Sequence, residues 1–360
     1  MTYFDKMYNV SDIIFLVHIS ENYANDVMYF MSKSLCNVSA DSQGDDFIYY
    51  NEIYYIIEEN ELKRKLSYLE RGILAEGVFY FRDCLCYRIC KNNTLFIKDS
   101  LNEWVIEYKS STDFIVYVSD QNPNYPIYLL RFMRSLVQGI YADKGFVVMH
   151  SAAVSIGNRG MMIIGEKGSG KTTLLIHFLN CCADIISNDR TLVDRKRNLL
   201  SFSQPLRIGS GTFEHTKKMV TYLESNSLYR KQGDMRQIDF KYLVTMDEIC
   251  KIFNVKYIRK EKLDCILVPE IQIGENLLEI RYLDEKEKEK IFEEVCFTPI
   301  DESYRSEWIY KPSTDFFFKI ESRKIIWNEL KKLDFIKIVY GTEVSSSILV
   351  NKILEAIIKG

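Results

Sequence analysis

Proline and glycine are scarce in this chain of 360 residues, at 6 and 16. That scarcity excludes a low-complexity or disordered chain. Long apolar runs are also missing: no stretch approaches the roughly 20 residues that a membrane-crossing helix needs, so no membrane partner is expected. A basic excess is absent too, since the formal net charge is −3 and the pI is near 6.0. Coating nucleic acid without sequence preference takes a strong positive surplus, so that task is not expected of this chain. Histidine is rare, with His18, His150, His177 and His215 making up the whole supply.

Cysteine is present but in an odd number, 9, and no secretion signal precedes it. The N-terminus carries Asp5 and Asp12 among scattered apolar residues, where a leader has a basic segment and then an apolar core. A cytoplasmic protein with reduced thiols is the expectation. Cys84, Cys86 and Cys90 are poorly spaced for zinc, which takes paired C-x2-C or C-x4-C units. Cys84 and Cys86 would share one face of a strand as buried thiols.

Hydrophobic residues make up 47% and charged residues 27%, the balance of a folded protein. The length suits two domains. Residues 1–143 read as a strand-rich unit, with β-branched and aromatic runs at 47–50, 53–57, 78–81, 104–108 and 114–118. Charged and Asn/Asp turns separate these runs, which predicts antiparallel pairing. This unit shows no catalytic constellation, and its role is open between packing and docking of a substrate or partner. A helix is predicted from Tyr128 to Val137.

Residues 144–360 alternate strand and helix patterns, and so predict an α/β unit with a mixed sheet. Within it lies Gly165-Glu166-Lys167-Gly168-Ser169-Gly170-Lys171-Thr172, which fits G-x-x-x-x-G-K-[ST] at every fixed position. The flanks agree with the motif. Gly160 to Ile164 reads as a buried strand, and Thr173 to Leu179 as a helix whose N-terminus faces the loop. Glycine lets successive amides turn inward around phosphate oxygens. Lys171 supplies a charge for the β- and γ-phosphates, and Thr172 a hydroxyl for magnesium. Residues 165–173 are therefore the predicted nucleotide-binding set, with ATP and Mg as cofactors.

A metal-bound triphosphate needs an acidic partner. Asp189 is the candidate, because it follows the predicted strand 183–187 at the distance expected of a strand lying next to the loop strand. Its alternative is a turn residue, since Asn-Asp pairs are common at strand ends. Asn188 cannot hold a substrate proton, so it is a candidate only for the metal, beside Thr172 and Asp189. His150 ends an apolar strand and opens Ser151-Ala152-Ala153, small residues that let a phosphate or another chain come close. Function and core packing stay open for it. His177 reads as packing or exposure, and His18 and His215 show no partner. A second glycine loop, Pro205 to Thr212, reads either as an anion or peptide cradle or as the lead-in to a helix capped by Ser210 or Thr212. Lys217, Lys218, Arg230, Lys231 and Arg236 read as a solvated face or as contacts to an acidic partner.

With these residues in place, the stretch from His150 to Thr212 resembles the C-terminal catalytic domain of HPr kinase/phosphorylase. Its relatives include kinase-like proteins encoded beside ribosomally made, modified peptides. The shared features are His150 to Val154, Gly165 to Thr173, Ser187-Asn188-Asp189-Arg190 and Pro205. The resemblance implies a fold like the nucleotide domain of phosphoenolpyruvate carboxykinase, and transfer of the γ-phosphoryl of ATP to a serine of a peptide or small protein. Lys171 and Thr172 would inherit phosphate and magnesium binding. Asp189 would match the second member of an Asp-Asp pair, and His150 a histidine near the phosphates. The chain departs from the family at Asn188, where the first aspartate is expected. HPr itself is not the expected acceptor, and a homo-oligomer is compatible with the sequence. A nucleotide-binding switch with little catalysis, or a kinase for a small molecule, are the alternatives.

Overall fold

The computed structural model describes residues 2–11, 13–35, 49–70, 77–81, 84–202, 204–209, 216–225, 237–238, 241–274, 276–299 and 316–359. Two compact units divide the chain: Met1–Lys144 with Thr298–Lys319, and Gly145–Phe297 with Ile320–Gly360. Among the described residues no helix is long and apolar enough to cross a membrane.

The first unit holds β1 (Tyr3–Val10), β2 (Ile13–Ser20), α1 (Ala24–Ser34), β3 (Tyr49–Ile57), α2 (Glu59–Glu70) and β4 (Gly77–Phe81). β5 (Cys84–Lys91), β6 (Thr94–Asp99), β7 (Trp104–Tyr108), β8 (Asp113–Val118) and α3 (Tyr125–Asp143) follow. The strands form one sheet in the order β1-β2-β3-β8-β7-β6-β5-β4. The expected all-antiparallel pairing is corrected here, because β3 runs parallel to both β2 and β8. Alternation of apolar and polar residues reports which face is buried, and is silent on the direction of the neighbour. Parallel neighbours need a crossover, which α1 supplies between β2 and β3.

In this unit α2 buries Leu62, Leu66 and Leu69 in a cluster with Ile89, Phe96 and Val105. α3 is longer than predicted: Pro126 in its first turn presets φ, and the apolar stripe continues to Ala142. His18, expected to lack a partner, lies 2.7 Å from Asp5 and 2.9 Å from Glu52 through its two ring nitrogens. It also stacks on Tyr54.

The second unit opens with β9 (Val147–Met149), β10 (Ser151–Ile156), β11 (Arg159–Ile164), α4 (Lys171–Asn180) and β12 (Asp184–Ser187). It continues through β13 (Thr191–Val193), β14 (Asn198–Ser201), β15 (Leu206–Gly209), α5 (Lys217–Ser225), β16 (Gln237–Ile238), β17 (Lys241–Val244) and α6 (Met246–Phe253). β18 (Lys260–Gln272), β19 (Leu278–Tyr282), α7 (Glu285–Val295), α8 (Phe316–Leu330), β20 (Asp334–Gly341) and α9 (Ser346–Lys359) complete the described elements. Residues from Ile320 onward in α8 belong to this unit.

Its main sheet is mixed, so the chain is α/β as expected. β12, β10, β11, β18 and β20 are neighbours in that order, and β19 pairs with β20. β11, β18 and β20 are parallel, whereas β10 runs against both β11 and β12. Met162 and Ile164 of β11 enter a core with Phe292 of α7, Ile326 of α8 and Phe335 of β20. Met161 and Ile163 are equally buried, and α4 packs near β10, β11 and β18 with α9 against it. Burial on both faces is why β11 reads as an unbroken apolar run instead of an alternating one.

Candidate functional site

Three strand ends meet at one edge of this sheet. Ile164, the last residue of β11, pairs with Ser151, the first of β10, and Ser187, the last of β12, pairs with Ala153. Gly165, His150 and Asn188 therefore leave or enter the sheet side by side. Sequence order alone placed β12 next to β11; in the structure β10 lies between them. That expectation is corrected, yet the edge is shared, because two antiparallel steps restore the direction of β11 and bring the C-terminal end of β12 to the same side.

The glycine loop follows β11. Gly165 has φ +151°, and a Cβ there would lie 2.6 Å from Ser169 Oγ. Gly170 has φ +97°, and a Cβ on it would come within 3.1 Å of Ile271 Cβ and 3.3 Å of the Tyr340 hydroxyl. Both positions need glycine for conformation and for space. Gly170 caps α4 without a side-chain acceptor, and Leu174 is the first residue to bond back to it, N to O at 2.8 Å. The amides of Lys171, Thr172 and Thr173 precede that bond and so lie at the open, electropositive end of the helix. Glu166, Lys167 and Gly168 are exposed at the tip of the loop.

Lys171 curls back over the loop, donating from Nζ to the carbonyl oxygens of Gly165 (2.7 Å) and Glu166 (2.9 Å). Burial lowers its pKa, and the Asp189 carboxylate acts in the opposite direction. The ammonium and the carboxylate thus sense each other across the loop. Asp189 is about half exposed, at 48%, whereas Asn188 beside it is buried. Asn188 Oδ1 is a buried acceptor with no hydrogen-bond partner. Arg190 is buried, with Nε 3.7 Å from Asp189 Oδ2.

His150 stands between β9 and β10, where the chain changes partners from β13 to β11. Its amide donates to Val295 O at 2.8 Å, and its ring stacks on Phe297 with centroids 5.3 Å apart. Nε2 lies 3.7 Å from Asp189 Oδ1, beyond hydrogen-bond range. Burial pushes the imidazole pKa below its usual value, and the positive charges of Lys171 and Arg190 push the same way, against Asp189. At neutral pH the ring is therefore uncharged, and its contact with Asp189 is not an ion pair.

Beneath Asp189 three buried hydroxyls form a chain that sequence reasoning missed. Ser151 Oγ donates to Thr191 Oγ1 at 2.7 Å, and Thr191 Oγ1 lies 2.5 Å from Ser187 Oγ. The Ser151 amide adds a bond to the Asp189 carbonyl at 3.2 Å. Ser187 and Thr191 bracket the 188–190 turn, so the network sets how that turn projects. Only the Ser187 to Arg190 motif hinted at it, because Ser151 comes from a distant part of the chain. Tyr340, whose hydroxyl reaches Gly170 O at 3.4 Å, was also not visible in the sequence.

The unused Asn188 Oδ1, next in the chain to the half-exposed Asp189 carboxylate, is an oxygen suited to a divalent cation. Thr172 carries its hydroxyl in the first turn of α4. Among the described residues there is no cluster of three or more His, Cys, Asp or Glu side chains able to hold a metal alone. A hard cation held by few protein oxygens takes the rest of its shell from phosphates and water, as magnesium does.

His177 is packed, not part of the edge: Nδ1 lies 2.8 Å from Ser346 Oγ and the ring meets Tyr340 edge-on. Of the second glycine loop, Leu206–Gly209 forms β15, paired with β17. Ser210, Gly211, Thr212, His215, Arg230, Lys231 and Arg236 fall outside the described residues. Lys218 lies over the Phe253 ring.

No protein-family model matches the chain, and no curated protein matches it. Among solved structures, the HPr(Ser) kinase/phosphatase from Coxiella burnetii is similar at 8% identity and a TM-score of 0.26. That match covers 59% of this chain and 93% of the other. A likeness at that score decides nothing about the site.

Proposed function

We propose that this protein is an ATP- and Mg-dependent kinase that transfers a γ-phosphoryl group to a hydroxyl, a serine of a peptide or small protein in the reading favoured by the resemblance above. The observation that carries it is the convergence at one sheet edge of the 165–173 loop, the Lys171 ammonium and the Asp189 carboxylate. Phosphoryl transfer asks for alignment and charge neutralisation more than for covalent participation by the protein. Inward-turned amides and the α4 terminus hold the phosphates, and Lys171 leaves its two carbonyl partners to pair with the β- and γ-oxygens. Thr172, Asp189 and Asn188 would hold magnesium, which would offset the negative charge of the phosphates.

The acceptor oxygen attacks the γ-phosphorus as the bond to the bridging oxygen of ADP breaks, and the acceptor proton passes to Asp189. The neutral His150 ring forms no ion pair with that carboxylate, so the oxygen not turned to the cation accepts the proton. Asn188, in place of a second acid, favours one other reading, a nucleotide-binding switch with slow hydrolysis.

Titration with ATP, run beside a radiolabelled transfer assay on a panel of Ser-containing peptides, separates the two. Wild type should bind ATP and label a peptide; Asp189→Asn should keep binding and lose turnover by orders of magnitude. Tight binding with no label on any peptide supports the switch. Equal turnover in wild type and Asp189→Asn removes Asp189 as the base.

A further inference from the structure

We infer that the turn formed by Gln272, Ile273 and Gly274 is the wall against which the nucleoside end of the triphosphate lies, with Ile273 covering one face of the base. This rests on the proposed nucleotide site and names a subsite within it. A triphosphate laid extended across the loop presents its γ-phosphate and its nucleoside at opposite ends. With the γ-phosphate at Asp189, on the β12 side of the loop, the α-phosphate and nucleoside must leave on the opposite side. The order β12-β10-β11-β18-β20 puts the ends of β18 and β20 there.

What stands at that end is a rigid, projecting turn. Leu267 of β18 is level with Ile163 near the end of β11, and β18 runs on to Gln272 beyond it. Ile271 abuts the loop itself, where a Cβ on Gly170 would crowd it at 3.1 Å. Thr342 braces the tip from the neighbouring strand connection. Its amide donates to Gln272 O and its hydroxyl accepts from the Gly274 amide, each at 3.0 Å. Gly341 adds a bond to Leu277 O at 2.9 Å. At the top of this braced turn Ile273 is 89% exposed.

A single exposed isoleucine is common on protein surfaces. Its position sets it apart: it lies two residues beyond Ile271, which abuts the loop, on the β18 side, opposite the turn that carries Asp189. A base laid on it buries apolar area that otherwise faces water.

Inorganic tripolyphosphate carries the charge of ATP without the nucleoside, and so isolates the subsite. Calorimetric titrations of the full chain, with magnesium present, compare ATP and tripolyphosphate in wild type, Ile273→Ala and Ile273→Asn. These neutral surface changes add no charge near the phosphates. ATP should weaken roughly tenfold, the size expected when most of one aliphatic contact is lost, while tripolyphosphate binds as before. Undiminished ATP affinity in Ile273→Asn overturns the inference, as does equal weakening of both ligands. If wild type binds neither ligand, the nucleotide reading itself fails and the subsite with it. If tripolyphosphate binds as tightly as ATP in every variant, the phosphate site stands and the base wall falls.

Discussion

His150 Nε2 and Asp189 Oδ1 face each other at 3.7 Å, close enough to feel charge and too far to share a proton. The histidine comes from the break between β9 and β10, and the aspartate from the turn after β12. Their relation makes the carboxylate's availability depend on the state of the ring.

The first prediction concerns pH. Burial, reinforced by Lys171 and Arg190, holds the His150 pKa below its usual 6.5, so the ring stays neutral at pH 7 and takes a proton only in more acidic solution. A protonated ring pairs with Asp189 and withdraws it from the acceptor. Turnover should therefore show an acid limb below pH 6.5 that flattens in His150→Asn, as read from kcat/KM against pH. An identical limb in the variant assigns it to another group.

His177 yields a stability prediction with a definite window. Burial lowers its pKa from 6.5 to about 4. In that interval the unfolded chain binds the proton and the folded chain does not, so stability falls as pH drops through 6.5 toward about 4. At pH 5 this single group should account for about 2 kcal/mol of lost stability relative to pH 7. Urea unfolding of wild type and His177→Gln at both pH values checks it: the variant should lose that part of the pH slope.

Gly170→Ala tests whether the loop geometry is obligatory. The change puts a Cβ at φ +97° and within 3.1 Å of Ile271. Strain of about 1–2 kcal/mol for a left-handed non-glycine residue, together with the clash, should distort the loop and remove ATP binding. The fold should survive as judged by circular dichroism. ATP binding at wild-type strength would show that the loop relaxes without consequence.

Thr191→Val removes the central hydroxyl of the buried network while keeping its shape. It leaves the Ser151 and Ser187 hydroxyls without their mutual partner, which costs about 1–3 kcal/mol. The 188–190 turn should shift, so kcat should drop more than the Kd for ATP rises, and Thr191→Ser should restore it. A lower Tm with unchanged kcat would confine the network to stability.

Asn188→Asp tests the cation site. A second carboxylate at a buried position raises the charge offered to magnesium, and should lower by several-fold the magnesium concentration that half-saturates ATP binding. Without metal the variant should be less stable, since an unpaired buried carboxylate is costly. An unchanged magnesium dependence places the cation elsewhere.

The local structure around the glycine loop was readable in the sequence. The strand, loop and helix over 159–180 were legible because their requirements are local: an apolar run for a strand buried on both faces, glycine where φ is positive, an unbroken helix former after it. In the first unit the runs at 53–57, 78–81, 104–108 and 114–118 fall in strands, whereas β1, β2 and β6 were not anticipated. Among the described residues the antiparallel expectation fails only where β3 meets β2 and β8, since nothing in an alternating run such as 53–57 says which way the next strand points.

Chain order by itself determined which short segments adopt strand, turn or helix, and which residues carry charge beside the glycines, because backbone sterics and side-chain chemistry act over a few neighbouring positions. Pairing decided the rest. β10 inserted between β11 and β12, the hydroxyl chain from Ser151 to Ser187, and the contact of Ile271 with the loop all join residues far apart along the backbone. Such contacts arise from the burial of a shared core, and only the folded sheet specifies who stands beside whom.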